Sequence, residues 1–247
     1  MPSNTVTTAF KSSNSSINAQ WACDRGATVQ YYTDADIKTD RCHLKFNIPD
    51  TMGPPVLFFY HLTNFYQNHR RYVDSFDADQ LKGTAKSWGD IDNSKCTPLK
   101  GDKDDKKPYY PCGLIANSMF NDSFTSPSML NAPGGDDEPR VYLMDNNTNI
   151  AWDSDKALYG ETKYGPDDVL PPPNWAERYP GGVYTDTNKP PDLKNWEAFQ
   201  VWMRTAGLPT FSKLYQRNDS TKMEPGTYEV IVDDRRFIPY QKCTYSS

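Results

Sequence analysis

The residues best equipped for chemistry lie in the stretch Leu62–Val73, which reads LTNFYQNHRRYV. It combines two guanidinium groups, one imidazole, three side-chain amides and three aromatic rings within twelve residues. A guanidinium can form paired, charge-assisted hydrogen bonds, and an imidazole can exchange a proton near neutral pH. The candidate site residues are polar residues of this stretch and one arginine from a later aromatic segment: Asn68, His69, Arg70, Arg71 and Arg204.

Three interpretations of these residues are open. The first is a structural network that pins loops, because an unsatisfied buried polar group costs about 1–3 kcal/mol. In this interpretation Asn68 and the three arginines lie behind the surface and fix loop geometry through charge-assisted hydrogen bonds to backbone carbonyls. The second is a binding site for a ligand or a partner protein, and the third is acid–base catalysis by His69. The chain has only three histidines and lacks the GxSxG, HExxH and phosphate-loop motifs. We therefore predict that the protein is not an enzyme.

Metal and cofactor sites are not expected either. Zinc sites need closely spaced pairs of cysteines or histidines, which the adjacent Cys42 and His43 do not supply. Asp145 and the asparagines that follow it begin like a calcium loop. That pattern then requires glycine and glutamate where the chain has Ile150 and Lys156.

The elements that must position the central stretch are predicted to be mostly strands. Val56–Leu62 is short, apolar and aromatic, as expected of a strand with both faces covered. After it, Phe65, His69 and Tyr72 recur at the spacing of a helical turn. Other predicted elements are strands at 27–32, 42–48 and 227–232, a helical turn at 77–81 closed by Gly83, and a helix at 195–218 ended or kinked by Gly207 and Pro209.

Length and composition bound the domain organisation. The 247 residues suffice for one core with long insertions, and 20 prolines argue against long helices. We predict a flexible or extended lead-in at 1–20, a single domain at 21–235 and a distinct C-terminal segment at 236–247. An extended insertion at 160–192 is expected to pack onto the body of the domain through its aromatic residues. The net charge of −5 gives no footprint for nucleic acid. No apolar run approaches the about 18 residues of a membrane span.

Five cysteines allow many pairings, and their spacing favours neighbours in sequence. We predict two disulfides, Cys23–Cys42 and Cys96–Cys112, which leave Cys243 free. The second would close a polar loop that has little apolar surface of its own, so a staple of about 3 kcal/mol matters there.

Four N-glycosylation sequons point to the same oxidising compartment as the paired cysteines. We expect Asn121 to be occupied most reliably. The four sequons begin at Asn14, Asn121, Asn146 and Asn218.

The stretch Leu62–Val73 resembles the hallmark of the phospholipid-flippase accessory subunits, also called the cell division control protein 50 or ligand-effect modulator family, and of its fungal-type members in particular. Further stretches that resemble this family are Pro111–Phe124, Asn149–Lys156 and Phe199–Tyr215. The resemblance covers roughly Cys23 to Val232, and the sequence that follows departs from it. It implies an antiparallel β-sandwich with short helices and long disulfide-tethered loops.

The resemblance also implies a function. The chain would be the luminal or extracellular domain of a non-catalytic subunit whose partner is a type IV P-type ATPase. It would support that enzyme's folding, export from the endoplasmic reticulum and lipid translocation. Flanking membrane spans would hold the whole protein in a membrane of the secretory pathway: endoplasmic reticulum, Golgi, endosome or plasma membrane. The alternative is an independent secreted β-sandwich module that binds a glycan or a protein.

Overall fold

Short strands dominate the regular structure. The computed structural model describes residues 6–11, 16–21, 32–34, 37–132, 139–175 and 178–234. The strands are β1 (Val6–Lys11), β2 (Ser16–Trp21), β3 (Tyr32–Asp34), β4 (Ile37–Ile48), β5 (Val56–Leu62), β6 (Gly101–Asp102), β7 (Lys107–Pro108), β8 (Ser123–Phe124), β9 (Ser128–Met129), β10 (Arg140–Val141), β11 (Phe211–Asn218) and β12 (Gly226–Asp234). The helices are α1 (Arg70–Val73), α2 (Ala78–Leu81), α3 (Trp88–Asp92), α4 (Leu114–Asn117), α5 (Asp153–Lys156) and α6 (Glu197–Met203), with single 3-10 turns at Pro173–Trp175 and Pro180–Gly182.

The chain divides into two compact units. The first is drawn from Met1–Ala22, Ile48–Phe120 and Leu143–Pro225, and the second from Cys23–Asn47, Asn121–Tyr142 and Gly226–Ser247. The prediction of a single domain at 21–235 stays a prediction.

The first unit contains a four-stranded sheet in the order β11-β5-β1-β2, antiparallel at each pairing. On β5, Val56, Phe58 and Tyr60 are buried, and the residues between them are half-buried. The predicted strand is confirmed, but only one of its faces is fully covered. The helices of this unit and the β6–β7 hairpin complete it.

The second unit contains a sheet in the order β10-β9-β12-β4-β3, with β8 also paired to β12. Inward residues of β4 and β12 form its core, where the rings of Phe46 and Tyr228 stack with centroids 6.1 Å apart. The predicted strands at 42–48 and 227–232 are therefore confirmed. The strand predicted at 27–32 lies outside the described residues except for Tyr32, the first residue of β3.

The region of the predicted lead-in contains β1 and β2: β1 pairs with β5 and lies between β5 and β2. A flexible or extended lead-in at 1–20 stays a prediction. The helix predicted at 195–218 is wrong in its second half, because α6 ends at Met203 and Phe211–Asn218 forms β11 on the other edge of β5. Backbone pairing with β5 overrides the local aromatic period there.

Other local predictions are confirmed. Asp77 caps α2 by accepting a hydrogen bond from the backbone N–H of Gln80, and Gly83 follows with a φ of +94°. In the insertion at 160–192, the rings of Trp175, Tyr179 and Tyr184 are buried. Within the described segments, no helix has the length and apolar character needed to cross a bilayer.

Candidate functional site

A groove of about 1070 Å³ in the first unit runs along the stretch that the sequence singles out. Its aromatic and aliphatic walls carry a rim of cationic side chains. The lining residues are Tyr66, His69, Arg70, Arg71, Tyr72, Asp74, Lys95, Thr97, Pro98 and Leu114.

Residues of the stretch Leu62–Val73 form one wall of the groove, called the near wall here, and a relay of hydrogen bonds fixes it. The side-chain amide of Gln67 donates to the Tyr72 hydroxyl (3.4 Å), which lies 2.8 Å from the Ser118 hydroxyl. Ser118 in turn donates to the backbone carbonyl of Leu114 (2.8 Å). Burial raises the pKa of Tyr72 even though both partners lower it, so the phenol stays protonated and can donate to Ser118.

The other wall of the groove, called the far wall, is lined by Lys95, Thr97, Pro98 and Leu114. A disulfide and a buried serine support it. The predicted Cys96–Cys112 disulfide is present, and Lys95, Thr97 and Leu114 flank its two ends closely in sequence. The fully buried Ser75 hydroxyl donates to the carbonyl of Thr97 (3.0 Å) and accepts from the N–H of Leu114 (2.9 Å). One side chain thus ties together the two loops that the disulfide joins.

The same stretch also holds the loop that follows α6. The carbonyl of the fully buried Gln67 side chain accepts from the N–H of Ala206 (2.9 Å), and the Asn68 amide donates to the carbonyl of Gly207 (3.2 Å). The N–H of Phe65 donates to the carbonyl of Pro209 (3.0 Å). Asn68 therefore fixes loop geometry, as the structural interpretation requires, although its side chain is exposed.

The positions of Arg70 and Arg71 correct an expectation. The structural interpretation places them behind the surface, bonded to backbone carbonyls. Both are exposed on the rim of the groove, and among the described residues neither side chain forms a hydrogen bond or an ion pair. The reason is local: α1 is a single turn that directs Tyr72 inward and both guanidinium groups toward solvent. With Lys95 they outnumber the single carboxylate of the lining, that of Asp74.

Arg204 has the partner that a charge beside aromatic residues needs. Its guanidinium lies 3.0 Å from the carboxylate of Asp155 and stacks over the ring of Trp152 at 3.9 Å from the centroid. The groove brings His69, Arg70 and Arg71 together, whereas Asn68 and Arg204 do not line it.

Buried polar residues that sequence reasoning missed hold α6 in place. The Glu197 carboxylate accepts from the N–H groups of Ile150 and Ala151 and lies 2.7 Å from the Lys156 ammonium. Burial alone would raise the pKa of Glu197, but the ammonium and the two N–H groups hold it below its ordinary value. No motif marks this residue, because its partners come from a distant loop.

At the other end of α6, the buried Lys213 ammonium donates to the carbonyls of Val201, Trp202 and Arg204. Burial lowers the pKa of Lys213 to about 8. A cation at a helix C-terminus offsets the negative end of the helix dipole, so this lysine serves as a cap for α6.

Two histidines outside the groove, His61 and His43, have structural partners. His61 and Ser212 are register partners on β5 and β11, with Nδ1 2.9 Å from Oγ, and no carboxylate contacts His61 in the described part of the chain. His43 lies 3.2 Å from Glu229 on the neighbouring strand. The Asp145 carboxylate accepts from the N–H groups of Asn147 and Thr148, an arrangement that closes a turn.

The structure describes only some of the predicted glycosylation sites and cysteines. Asn121, Asn146 and Asn218 are half-buried, whereas Asn14 lies outside the described residues. So do Cys23 and Cys243, and the pairing of Cys23 with Cys42 stays a prediction.

Comparison with known proteins decides the family. The model of the LEM3 (ligand-effect modulator 3) family / CDC50 family matches residues 4–241. This chain belongs to the CDC50/LEM3 family.

Its similarity to curated CDC50/LEM3 proteins spans fungi and animals. It is 46% identical to the phospholipid-transporting ATPase accessory subunit CDC50 of Chaetomium thermophilum over 94% of this chain and 57% of that protein. It is 44% identical to the accessory subunit CRF1 of Saccharomyces cerevisiae (79% and 47% covered) and 39% identical to human cell cycle control protein 50B (77% and 55%). The chain thus spans about half the length of these relatives.

Three of the four CDC50/LEM3-like stretches meet at or beside the groove. Leu62–Val73 forms its near wall, Pro111–Phe124 contributes Leu114, and Phe199–Tyr215 supplies the loop that Gln67 and Asn68 hold. The fourth stretch, Asn149–Lys156, contains the residues that bond to Glu197 and Arg204. The parts of these stretches that belong to the first unit therefore build one connected region, whereas residues 121–124 belong to the second unit.

Proposed function

We propose that this chain is the luminal or extracellular domain of a non-catalytic accessory subunit of a type IV P-type ATPase that transports phospholipid. The names of the fungal relatives support this role. The whole subunit would help the ATPase to fold, to leave the endoplasmic reticulum and to translocate lipid, while the pump chemistry stays in the ATPase.

The observation that carries the proposal is the contrast between the two sides of the motif stretch. Gln67 and Asn68 bond to backbone groups and hold the framework, whereas Tyr66, Arg70 and Arg71 face solvent. Tyr66 is 61% exposed, although tyrosine and arginine are the residue types that dominate binding energy at protein interfaces. The groove is therefore assigned to partner contact and the residues beneath it to support.

The finer architecture is part of the proposal. An antiparallel β-sandwich with long disulfide-tethered loops agrees with the antiparallel sheets and with the disulfide beneath the groove. A compartment of the secretory pathway would favour that disulfide and the glycosylation of Asn121. Membrane spans outside this chain would raise the local concentration of the domain at its partner, since tethering can change avidity by about 10²–10⁴.

The alternative, an independent secreted module that binds a glycan or a protein, draws on the same exposed residues. Such a module would retain its ligand without an ATPase present, which separates it from the accessory-subunit role.

Charge reversal on the rim tests the assignment. In the full-length protein, Arg70→Glu with Arg71→Glu is expected to lower recovery of the ATPase in co-purification at least about tenfold, a loss of about 1.4 kcal/mol. Folding should persist, because both side chains are exposed. The measurement is the amount of ATPase per subunit, with thermal unfolding of the subunit followed in parallel.

The matched control is Lys103→Glu with Lys106→Glu, the same change of charge at two exposed positions in the turn between β6 and β7. It should leave ATPase recovery unchanged. Equal losses in both variants would reduce the effect to net charge, and normal recovery after reversal at 70 and 71 would remove the rim from the contact surface.

A further inference from the structure

Two sequons converge on one polar cleft of the first unit. The cleft has a volume of about 490 Å³, within the range of small-molecule sites, and lies between the loop at 143–149 and the end of β11. Asn146 and Asn218 both line it. The loop is fixed to β11, because Asp145 and Arg217 exchange backbone hydrogen bonds of 2.8 and 2.9 Å.

The side-chain amide of Asn218 forms hydrogen bonds through both its nitrogen and its oxygen. Its Nδ2 donates to the carbonyl of Leu143 at 2.7 Å, and its Oδ1 accepts from the N–H groups of Ser220 (3.0 Å) and Thr221 (2.8 Å). The atom that would carry a glycan is thus packed against the loop at 143–149. A sugar would replace one of the two hydrogens on this nitrogen and would be crowded by the loop at 143–149.

Asn146 presents the opposite situation. Its side chain forms no hydrogen bond within the described part of the chain. The loop around it is shaped by Asp145, which accepts from Thr148 Oγ1 at 2.5 Å, and by Arg217, whose guanidinium donates to the carbonyl of Asn149 at 2.5 Å. The amide of Asn146 is consequently available while the backbone that presents it is held in place.

We propose that the folded protein carries an N-linked glycan on Asn146, with its first sugar seated in this cleft, while Asn218 stays unmodified and clamps the loop at 143–149. Hydroxyl and amide groups of Asn147, Thr148 and Ser220 line the cleft and match the hydroxyl and acetamido groups of an N-acetylhexosamine.

The modification is a glycosyl transfer. A bond forms between Asn146 Nδ2 and the anomeric carbon of an oligosaccharide carried on a lipid diphosphate. The bond from that carbon to the phosphate oxygen breaks, the lipid diphosphate leaves with the bonding electrons, and Nδ2 loses one proton. No oxidant or reductant is required.

The inference rests on the luminal placement in the proposed function, so the test includes an independent marker of that placement. The full-length protein is purified from a eukaryotic host and its glycans are released by peptide N-glycosidase in ¹⁸O water, which converts each occupied asparagine to labelled aspartate. We expect label at Asn146 and none at Asn218. Ser220→Ala, which destroys the second sequon but keeps the Asn218 amide, should leave the number of glycans unchanged, and Asn146→Gln should remove one glycan.

The outcomes separate the two claims. Label at Asn218, or a glycan lost in Ser220→Ala, overturns the inference. Label at Asn121 with a bare Asn146 overturns it while leaving the luminal placement intact, whereas bare Asn121, Asn146 and Asn218 contradict both. The clamp has its own readout: Asn218→Asp, which removes the Nδ2 donor, should speed amide exchange in 143–149 about fivefold, and unchanged exchange would refute the clamp.

Discussion

Gly113→Ala is expected to lower the free energy of unfolding of this chain by about 3–5 kcal/mol. Gly113 has a φ of +100°, a conformation that side chains disfavour. A Cβ at this position would lie 2.0 Å from the backbone carbonyl oxygen of Ser75, which cannot rotate away as a side chain could. Because Ser75 ties together both loops of the far wall, the strain would be transmitted to the groove. Urea denaturation followed by tryptophan fluorescence measures the loss.

Gly53→Ala is the matched control. A Cβ added at Gly53 would meet no atom within 4 Å, and the φ of this residue is not positive, so the same change should cost less than about 0.5 kcal/mol there. A Gly113→Ala variant as stable as Gly53→Ala would show that Ser75 and Gly113 are not in close backbone contact.

The second large effect is expected at Trp202. Trp202→Ala should lower the free energy of unfolding by about 3–5 kcal/mol, as large-to-small changes in a core do. The side chain is 1% exposed, its indole N–H donates to the carbonyl of Ile115 at 2.7 Å, and its ring packs on Phe65 with centroids 5.5 Å apart. The variant therefore loses a core ring and leaves a buried carbonyl without its donor. Thermal and urea unfolding give the magnitude.

Trp152→Ala provides the comparison for the same side chain at the surface. Trp152 is 64% exposed and contributes a cation–π contact with Arg204, so about 1 kcal/mol or less is expected. Similar losses at positions 152 and 202 would contradict the packing of α6 against α4.

Much of the local structure could be predicted from sequence because short-range physics determines it. The apolar run at 56–62 and the alternation at 42–48 and 227–232 each correspond to a strand, and the helical turn predicted at 77–81 before Gly83 corresponds to α2. The Cys96–Cys112 pair followed from nearest-neighbour spacing together with an expected luminal setting.

Long-range partners explain what could not be predicted. Phe211–Asn218 is a strand because β5 offers a free edge, a fact absent from the local period. No sequence pattern marks Glu197 or Lys213 as structural residues, because the backbone groups to which they bond lie elsewhere in the chain. Gln67 had the clearest signal, a polar residue inside an aromatic motif, yet its partner at Ala206 lies 139 residues away.

The two sides of the motif stretch also could not be separated from sequence. From composition alone, all the polar residues of the stretch were expected to play the same role. In the structure, a single turn of helix points them in different directions. Asn68 turns to the backbone of a neighbouring loop, whereas Arg70 and Arg71 turn to solvent. The structural and the partner-binding interpretations therefore apply to different residues of the same twelve.

The central claim, that the groove contacts the ATPase, is tested most directly by photo-crosslinking from its rim. A benzophenone amino acid is placed at Tyr66 in the full-length subunit, and at Lys103 as a control, in cells that also express the ATPase. The account predicts an adduct containing both proteins from position 66 and none from position 103. Co-purification of the two proteins with no adduct from position 66, or with an adduct only from position 103, would contradict it.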